Sequence, residues 1–308
     1  MNFETGRGGY AEQRAEEQKT LRSAEYILTN QNSEHSDRLK EADFEELYQK
    51  DEILKDKKMV ERMKEKFSED QESLTKDEIL VIRERKTVSE AMEKIIVEGG
   101  EIHNWFGGDS SLIQTTEYDD IFNGIDVVLE IEIEGEENKR IALVVDVTMS
   151  SDTSILQKKI ANNLSSITGK KPKEVKYFRS EITDEAEKIQ DIIPVVVGLD
   201  KENSSELLTL FANIQRLKNV SGKSENDRKK LKENLKNAEL HPAQKIFLNE
   251  IAMQLETYLN INIKKEMKNK IEETVEIIYT ILSEKKKIDI TEIENDGCYQ
   301  NIKKLIKK

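Results

Sequence analysis

The sequence predicts an α/β protein: a mixed sheet flanked by helices over residues 88–220, a charged helical arm before it (1–87) and a helical region after it (221–308). Three observations point there. Residues 125–133 alternate, with Ile125, Val127, Leu129, Ile131 and Ile133 on one side and Asp126, Val128, Glu130 and Glu132 on the other, the period of a strand with one buried face. Residues 141–148 are more continuously apolar, as a central strand is. Most of the remainder is rich in Glu, Lys, Gln and Asp with apolar residues at helical spacing, and only 3 prolines and 13 glycines among 308 residues argue against a loop-rich or all-β fold.

Taken in order, residues 1–10 hold Gly6, Gly8 and Gly9 and are expected to be disordered. From Tyr10 to Arg85 the apolar residues are sparse (Leu39, Phe44, Leu47, Ile53, Leu54, Met59, Met63, Phe67), a thin helical stripe that offers a surface for a protein partner. So thin a stripe buries little area, so removal of residues 1–85 is expected to leave the core folded. Breaks are expected at 30–36 and at Ser73–Glu78, where Thr75 and Glu78 stand at capping-box spacing. Thr87–Glu98 reads as a short helix with Val88, Met92, Ile95 and Ile96 on one face, stopped by Gly99-Gly100. A loop with the only tryptophan, Trp105, follows, then a strand over Ser111–Thr115 and the acids Glu117, Asp119 and Asp120 ahead of the turn Asn123-Gly124.

The strands 125–133 and 141–148 flank a polar turn, Glu134–Lys139, and so read as an antiparallel hairpin. Ser150–Ser154 caps the next helix, whose inner face is Leu156, Ile160, Leu164 and Ile167 with Lys159 beside it. A basic turn, Gly169–Lys173, leads to strands at 175–178 and 191–200, the latter pushed towards a sheet edge by Pro194. Ser204 or Ser205 starts a helix to Leu217. Beyond Gly222 the chain is helical, with Pro242 at a helix start and lysines clustered at 264–270, 285–287 and 303–308.

The hairpin has a chemical consequence. Asp126 and Asp146 are almost equidistant from its turn, so pairing brings their carboxylates together. Two such groups repel, and one must take a proton or both must share a cation. Hard oxygen donors of this kind suit Mg²⁺. Glu117 and Asp120 stand close enough to join the same cation.

Asp126, with Asp146-Val147-Thr148 at the end of the following strand, resembles the PD-(D/E)XK nuclease superfamily over roughly residues 88–220. The resemblance implies a restriction-endonuclease-like core and hydrolysis of phosphodiester bonds in nucleic acid. It further implies Mg²⁺ or Mn²⁺ held by Asp126, Asp146 and the Val147 carbonyl. A glutamate from the helix before the sheet is also implied; Glu98 flanks the apolar face of that helix, whereas Glu90 and Glu93 point away from it. The motif lysine is replaced by Thr148, and Lys159 on the next helix is the substitute the resemblance suggests. The alternatives are a nuclease fold that no longer cuts and binds nucleic acid or protein, and a helical scaffold.

The net charge of −13 counts against avid, non-specific binding of nucleic acid without excluding a local basic surface. His35, His103 and His241 have no metal-ligand spacing among themselves. The single cysteine, Cys298, excludes an internal disulfide framework, and a cytoplasmic location is expected. The start lacks a basic segment followed by an apolar one, and the longest apolar run is too short to cross a membrane.

Overall fold

The computed structural model describes residues 5–29, 38–133 and 140–307. In chain order the elements are α1 (Thr5–Thr29), α2 (Lys50–Asp70), α3 (Lys76–His103), β1 (Ser110–Gln114), β2 (Val127–Glu132), β3 (Arg140–Thr148), α4 (Thr153–Ile167), β4 (Val175–Arg179), β5 (Ala186–Ile189), β6 (Ile193–Gly198), α5 (Lys201–Asn219), α6 (Glu225–Glu239), α7 (Ala243–Leu259), α8 (Lys265–Glu284) and α9 (Gly297–Ile306). The expected turn at 134–139, the expected break at 30–36 and residues 1–4 of the expected disordered start lie outside the described residues; residues 5–10 begin α1.

The fold is α/β, a small mixed sheet flanked by helices. Its order is β1-β2-β3-β6. The first three strands run antiparallel. β6 runs parallel to β3, a pairing that requires a crossover; the intervening chain includes α4 and the separate β4–β5 hairpin. Both faces of the central strands are buried. Val127, Leu129, Ile131, Leu143, Val145 and Val147 join the main core with residues of α3, α5 and α7. On the other face, Val128 and Val144 lie under Val175 and Phe178 of β4. The alternation at 125–133 therefore sorts two kinds of interior rather than inside from outside, and Glu130, read as outward, is fully buried beside Arg140 Nε at 2.5 Å.

Pro194 does sit on an edge strand. The free edge of β6 is completed by side chains of α7. Val196 N–H donates to Gln254 Oε1 at 2.9 Å and Gln254 Nε2 donates to the Val196 carbonyl at 2.7 Å, the two bonds a neighbouring strand would make. Gly198 N–H donates to Glu250 Oε2 at 2.9 Å, and Tyr258 Oη donates to the Pro194 carbonyl at 2.8 Å. An edge covered in this way cannot pair with another chain.

Two expectations about the N-terminal half change. The helix expected at 87–98 runs from Lys76 to His103, capped by the expected Thr75–Glu78 box, so residues 87 and 88 fall inside one helix. Gly99 and Gly100 do not stop it. They let it approach its neighbours: a Cβ on Gly99 would lie 2.5 Å from the Trp105 ring, and one on Gly100 would strike Leu112. The Trp105 indole is buried and donates to the Ala238 carbonyl at 2.9 Å, tying this packing to α6. The thin stripe of the arm also buries more than its composition suggests. Ala24 and Ile27 of α1 are fully buried in the main core, Thr20 Oγ1 meets Ser205 Oγ at 2.5 Å, and Phe44 packs edge-on against Tyr177 of β4 at 5.4 Å. Loss of residues 1–85 would remove these buried side chains and uncover their partners in the core. Among the described residues, no helix is long and apolar enough to cross a membrane.

Glycine to alanine in a helix interior ordinarily stabilises by about 0.5–1 kcal/mol. At Gly99 the sign should reverse, because the added methyl meets a buried ring that has nowhere to go. Gly99→Ala should destabilise by about 1–3 kcal/mol in urea unfolding, whereas Gly108→Ala, with open space around it, should change little. A neutral or stabilising Gly99→Ala would refute the close-packing account.

Candidate active site

The sequence brings two aspartates to the end of the hairpin and the register decides how they meet. Val127 pairs with Val145, so the next positions outward, Asp126 and Asp146, face each other. Both share the face that carries Val128 and Val144. Asp126 N–H donates to the Val145 carbonyl at 3.3 Å, and its Oδ2 accepts from Val147 N–H at 2.7 Å. That second bond replaces the main-chain bond the ladder would have continued with. Because the N–H and C=O of an extended residue face the same neighbour, the Val147 carbonyl is aimed to the same side.

Lys159, one helical turn and a half into α4, forms an ion pair with Asp146 Oδ1. It is half-buried. Burial opposes its charge, but the Coulomb attraction and hydrogen bond of Asp146, helped by Asp126, hold its pKa above the ordinary lysine value. The helix wheel had placed Lys159 beside the inner face, and there it is. Thr148, at the position of the motif lysine, is buried and accepts from Ser150 N–H at 3.3 Å. Its Cγ2 packs against Gly198 of β6. A lysine at 148 would have to force a long cationic chain into this contact, so the ammonium beside Asp146 comes from the helix.

The other expected acids separate. Asp120 belongs to the site: it pairs with Arg38 Nη2 at 2.5 Å, and Arg38 Nε donates to the Thr115 carbonyl at 2.7 Å, beside the start of β2. Burial works against the Arg38 charge, yet Asp120 and then Glu93 raise its pKa further. Glu117 is drawn off to an exposed pair with Lys64 of α2 at 2.7 Å. Glu98 is a correction. It is buried, accepts from Gln215 Nε2 at 3.3 Å and lies 3.9 Å from Lys218, so it faces α5 and not the aspartates.

Glu93 takes the place expected of Glu98. It is buried in α3 and accepts from Gln114 Nε2, at the end of β1, at 3.2 Å. Desolvation, then the charge of Asp120, push its pKa up to about 7, against the opposing pull of Arg38. Five residues along a helix amount to about 140° of rotation, so Glu93 and Glu98 cannot serve the same site. The apolar wheel pointed to Glu98 because it assumed one buried face. Residues 91–100 of α3 are buried all round, and a helix enclosed on every side gives the wheel no direction.

No family model, curated protein or solved structure matches this chain. The site is therefore read from its own chemistry.

Four carboxylates, Glu93, Asp120, Asp126 and Asp146, interact with three cations, Arg38, Lys159 and Lys173. With every group ionised, the four carboxylates would exceed the three cations by one charge. Burial, followed by the charges of Asp146, Glu93 and Asp120, pushes the Asp126 pKa well above the usual carboxylate range, although the Val147 N–H favours its ionised form. Such a cluster relieves its repulsion by holding a proton or a dication. The donor chemistry fits Mg²⁺, which commonly takes one or two protein carboxylates and keeps several waters. Among the described residues, no group of three or more His, Cys, Asp and Glu side chains forms a ready metal cage. Asp126 and Asp146, with the Val147 carbonyl, are the residues that would hold the ion.

The sign of the pH dependence follows from Glu93. Its folded pKa, about 7, lies above the ordinary 4.5, so the folded protein binds a proton that the unfolded chain has released. Stability is full below the unfolded value and is lost as pH rises through the folded one. Glu93→Gln should therefore melt higher than wild type at pH 8.5, by at most roughly 3 kcal/mol, and the gain should vanish by pH 5. Equal melting of the two proteins at both pH values would show that Glu93 carries no raised pKa.

Proposed function

We propose that the chain carries a restriction-endonuclease-like core of the PD-(D/E)XK type and hydrolyses phosphodiester bonds in nucleic acid with Mg²⁺ or Mn²⁺ as cofactor. The observation that carries this reading is the pairing of Asp126 with Asp146 across the ends of β2 and β3, with the Lys159 ammonium of the next helix on Asp146. The order α3, three antiparallel strands, α4, and a last strand parallel to β3 supports it. A bound dication supplies an activated water and offsets charge developing on phosphate oxygens.

The residues of the chain do the rest. Asp126 is oriented by the Val147 N–H. Lys159 stands beside Asp146, from which its ammonium reaches the attacking water or a phosphate oxygen. Glu93, with a pKa near neutrality, can exchange a proton at working pH, as a general base requires. We place the protein in the cytoplasm, where the buried thiol of Cys298 stays reduced.

A second reading is a nuclease fold that binds without cutting. It is favoured by Thr148, and by apolar side chains left exposed on α2 and the first half of α3, Leu54, Phe67, Leu80 and Ile82, which suit a protein partner for the arm.

The two readings part on metal. Mg²⁺ or Mn²⁺ should raise the melting temperature of wild type, by an amount equivalent to about 2.7 kcal/mol at a hundredfold excess over Kd, and Asp146→Asn should abolish the shift. Cleavage should disappear with Asp126→Asn or Asp146→Asn, and Lys159→Ala should lower kcat while leaving the metal-dependent shift largely intact. The absence of both a thermal shift and any cleavage of single- or double-stranded DNA or RNA would favour the non-cutting module.

A further inference from the structure

The turn between α4 and β4, Gly169-Lys170-Lys171-Pro172-Lys173, carries three cations and no acid. Lys170 and Lys171 are exposed, and their N–H groups are fixed by the Ser165 carbonyl at 2.9 and 3.1 Å. Lys173 is held differently. Its N–H donates to Ser166 Oγ at 3.0 Å, and its side chain crosses to the Gly124 carbonyl at 3.1 Å, two residues before Asp126. Gly124 has φ +60°, a left-handed conformation that glycine adopts without strain.

The cations around the aspartates are thus of two kinds. Lys159 is paired with Asp146 and Arg38 with Asp120. Among the described residues, Lys170, Lys171 and Lys173 form no ion pair, and the nearest acid in sequence, Glu174, is paired with Lys188 at 2.8 Å. Lys173 is half-buried beside the aspartates and bonded to a neutral carbonyl. Burial depresses its pKa in spite of the attraction of Asp146 and Asp126, the mark of a desolvated ammonium short of anionic contact. In a chain of net charge −13, a basic strip without direct ion pairs at the rim of an acidic site is where a polyanion can approach.

We infer that Lys170, Lys171 and Lys173 are the phosphate-backbone contacts of a nucleic-acid strand, with Lys173 on the phosphate beside the reacting one and Lys170 and Lys171 on its neighbours. This deepens the nuclease reading and rests on it for the position of the reacting phosphate. Three peptide steps span at most about 10 Å, enough for two or three consecutive phosphates. Cations near the end of α4 also complement its dipole, but a helix-end role does not explain why Lys173 turns away from α4 to Gly124.

The test is salt-dependent binding of a labelled 20-nucleotide strand and duplex, as DNA and RNA, to the full chain, with cleavage followed in Mg²⁺ and melting curves run in parallel. The triple variant Lys170→Gln, Lys171→Gln, Lys173→Gln should still melt in one cooperative transition, bind about tenfold or more weakly, and flatten the log–log salt slope by about 2–3, since each phosphate contact contributes about 0.7–0.9. Lys173→Arg should keep binding within about twofold, because it preserves the charge. If wild type cleaves and the triple variant binds and cleaves equally, the proposal is overturned and the nuclease reading stands; if both bind equally and neither cuts, both are overturned. If binding depends on the lysines but nothing is cut, the proposal holds and the catalytic reading fails. Wild type that neither binds nor cuts any of the four polymers overturns both.

Discussion

The register between β2 and β3 is the constraint on which the site depends. A strand slip of one residue would turn Val127, Leu129 and Ile131 away from the main core and bring Val128 and Glu130 into it. The apolar residues therefore hold the register. Asp126 and Asp146, next in line beyond the last paired position, are forced to face each other. Their mutual repulsion is a cost that burial of the two strands outweighs, and it is moderated locally by Lys159 and by the Val147 N–H. A repelling charge pair is kept in an unfavourable place by hydrophobic packing around it.

The elements around the pair each supply one charged group. α3 brings Glu93, the segment before β2 brings Asp120, α4 brings Lys159, and the turn before β4 brings Lys173. Arg38 arrives from the segment between α1 and α2 and reaches the same acids. The charged N-terminal part is therefore tied to the site by the Arg38–Asp120 pair and to the main core by the buried contacts of α1 with α5. Burial and the charge of Asp120 push the Glu93 pKa up to about 7, which sets it apart from an ordinary surface carboxylate.

On the far side of the sheet from β1, rigidity comes from polar side chains. Gln254 and Glu250 of α7 pair with the outer edge of β6, and Asp296 and Asp200 cap α9 and α5 reciprocally, with Asp200 N–H on Asp296 Oδ2 and Gly297 N–H on Asp200 Oδ2, both at 2.8 Å. Backbone groups satisfy Gln254 and Asp296 there, whereas Glu250 uses Oε2 on the Gly198 N–H and its buried Oε1 has no hydrogen-bond partner. Glu250, wholly buried, is pushed well above the ordinary carboxylate range by that burial. The parallel strand is locked against β3, and β3 carries Asp146.

The sequence alone determined the two central strands, their antiparallel pairing and the meeting of Asp126 with Asp146, because strand alternation and distance from a turn are local quantities. It also determined the Thr75–Glu78 cap and the position of Lys159 beside the inner face of its helix, since each rests on spacing within one element. Tertiary structure decided what depends on which surfaces meet. The choice of Glu93 over Glu98 could not be made while the far side of α3 was unknown. The second buried face of the sheet, created by β4 packing over Val128 and Val144, was hidden because its strands read as half-exposed. Arg38 and Lys173 lie far from Asp126 along the chain. Their role is set by where a long side chain ends, and no periodicity in the sequence records that.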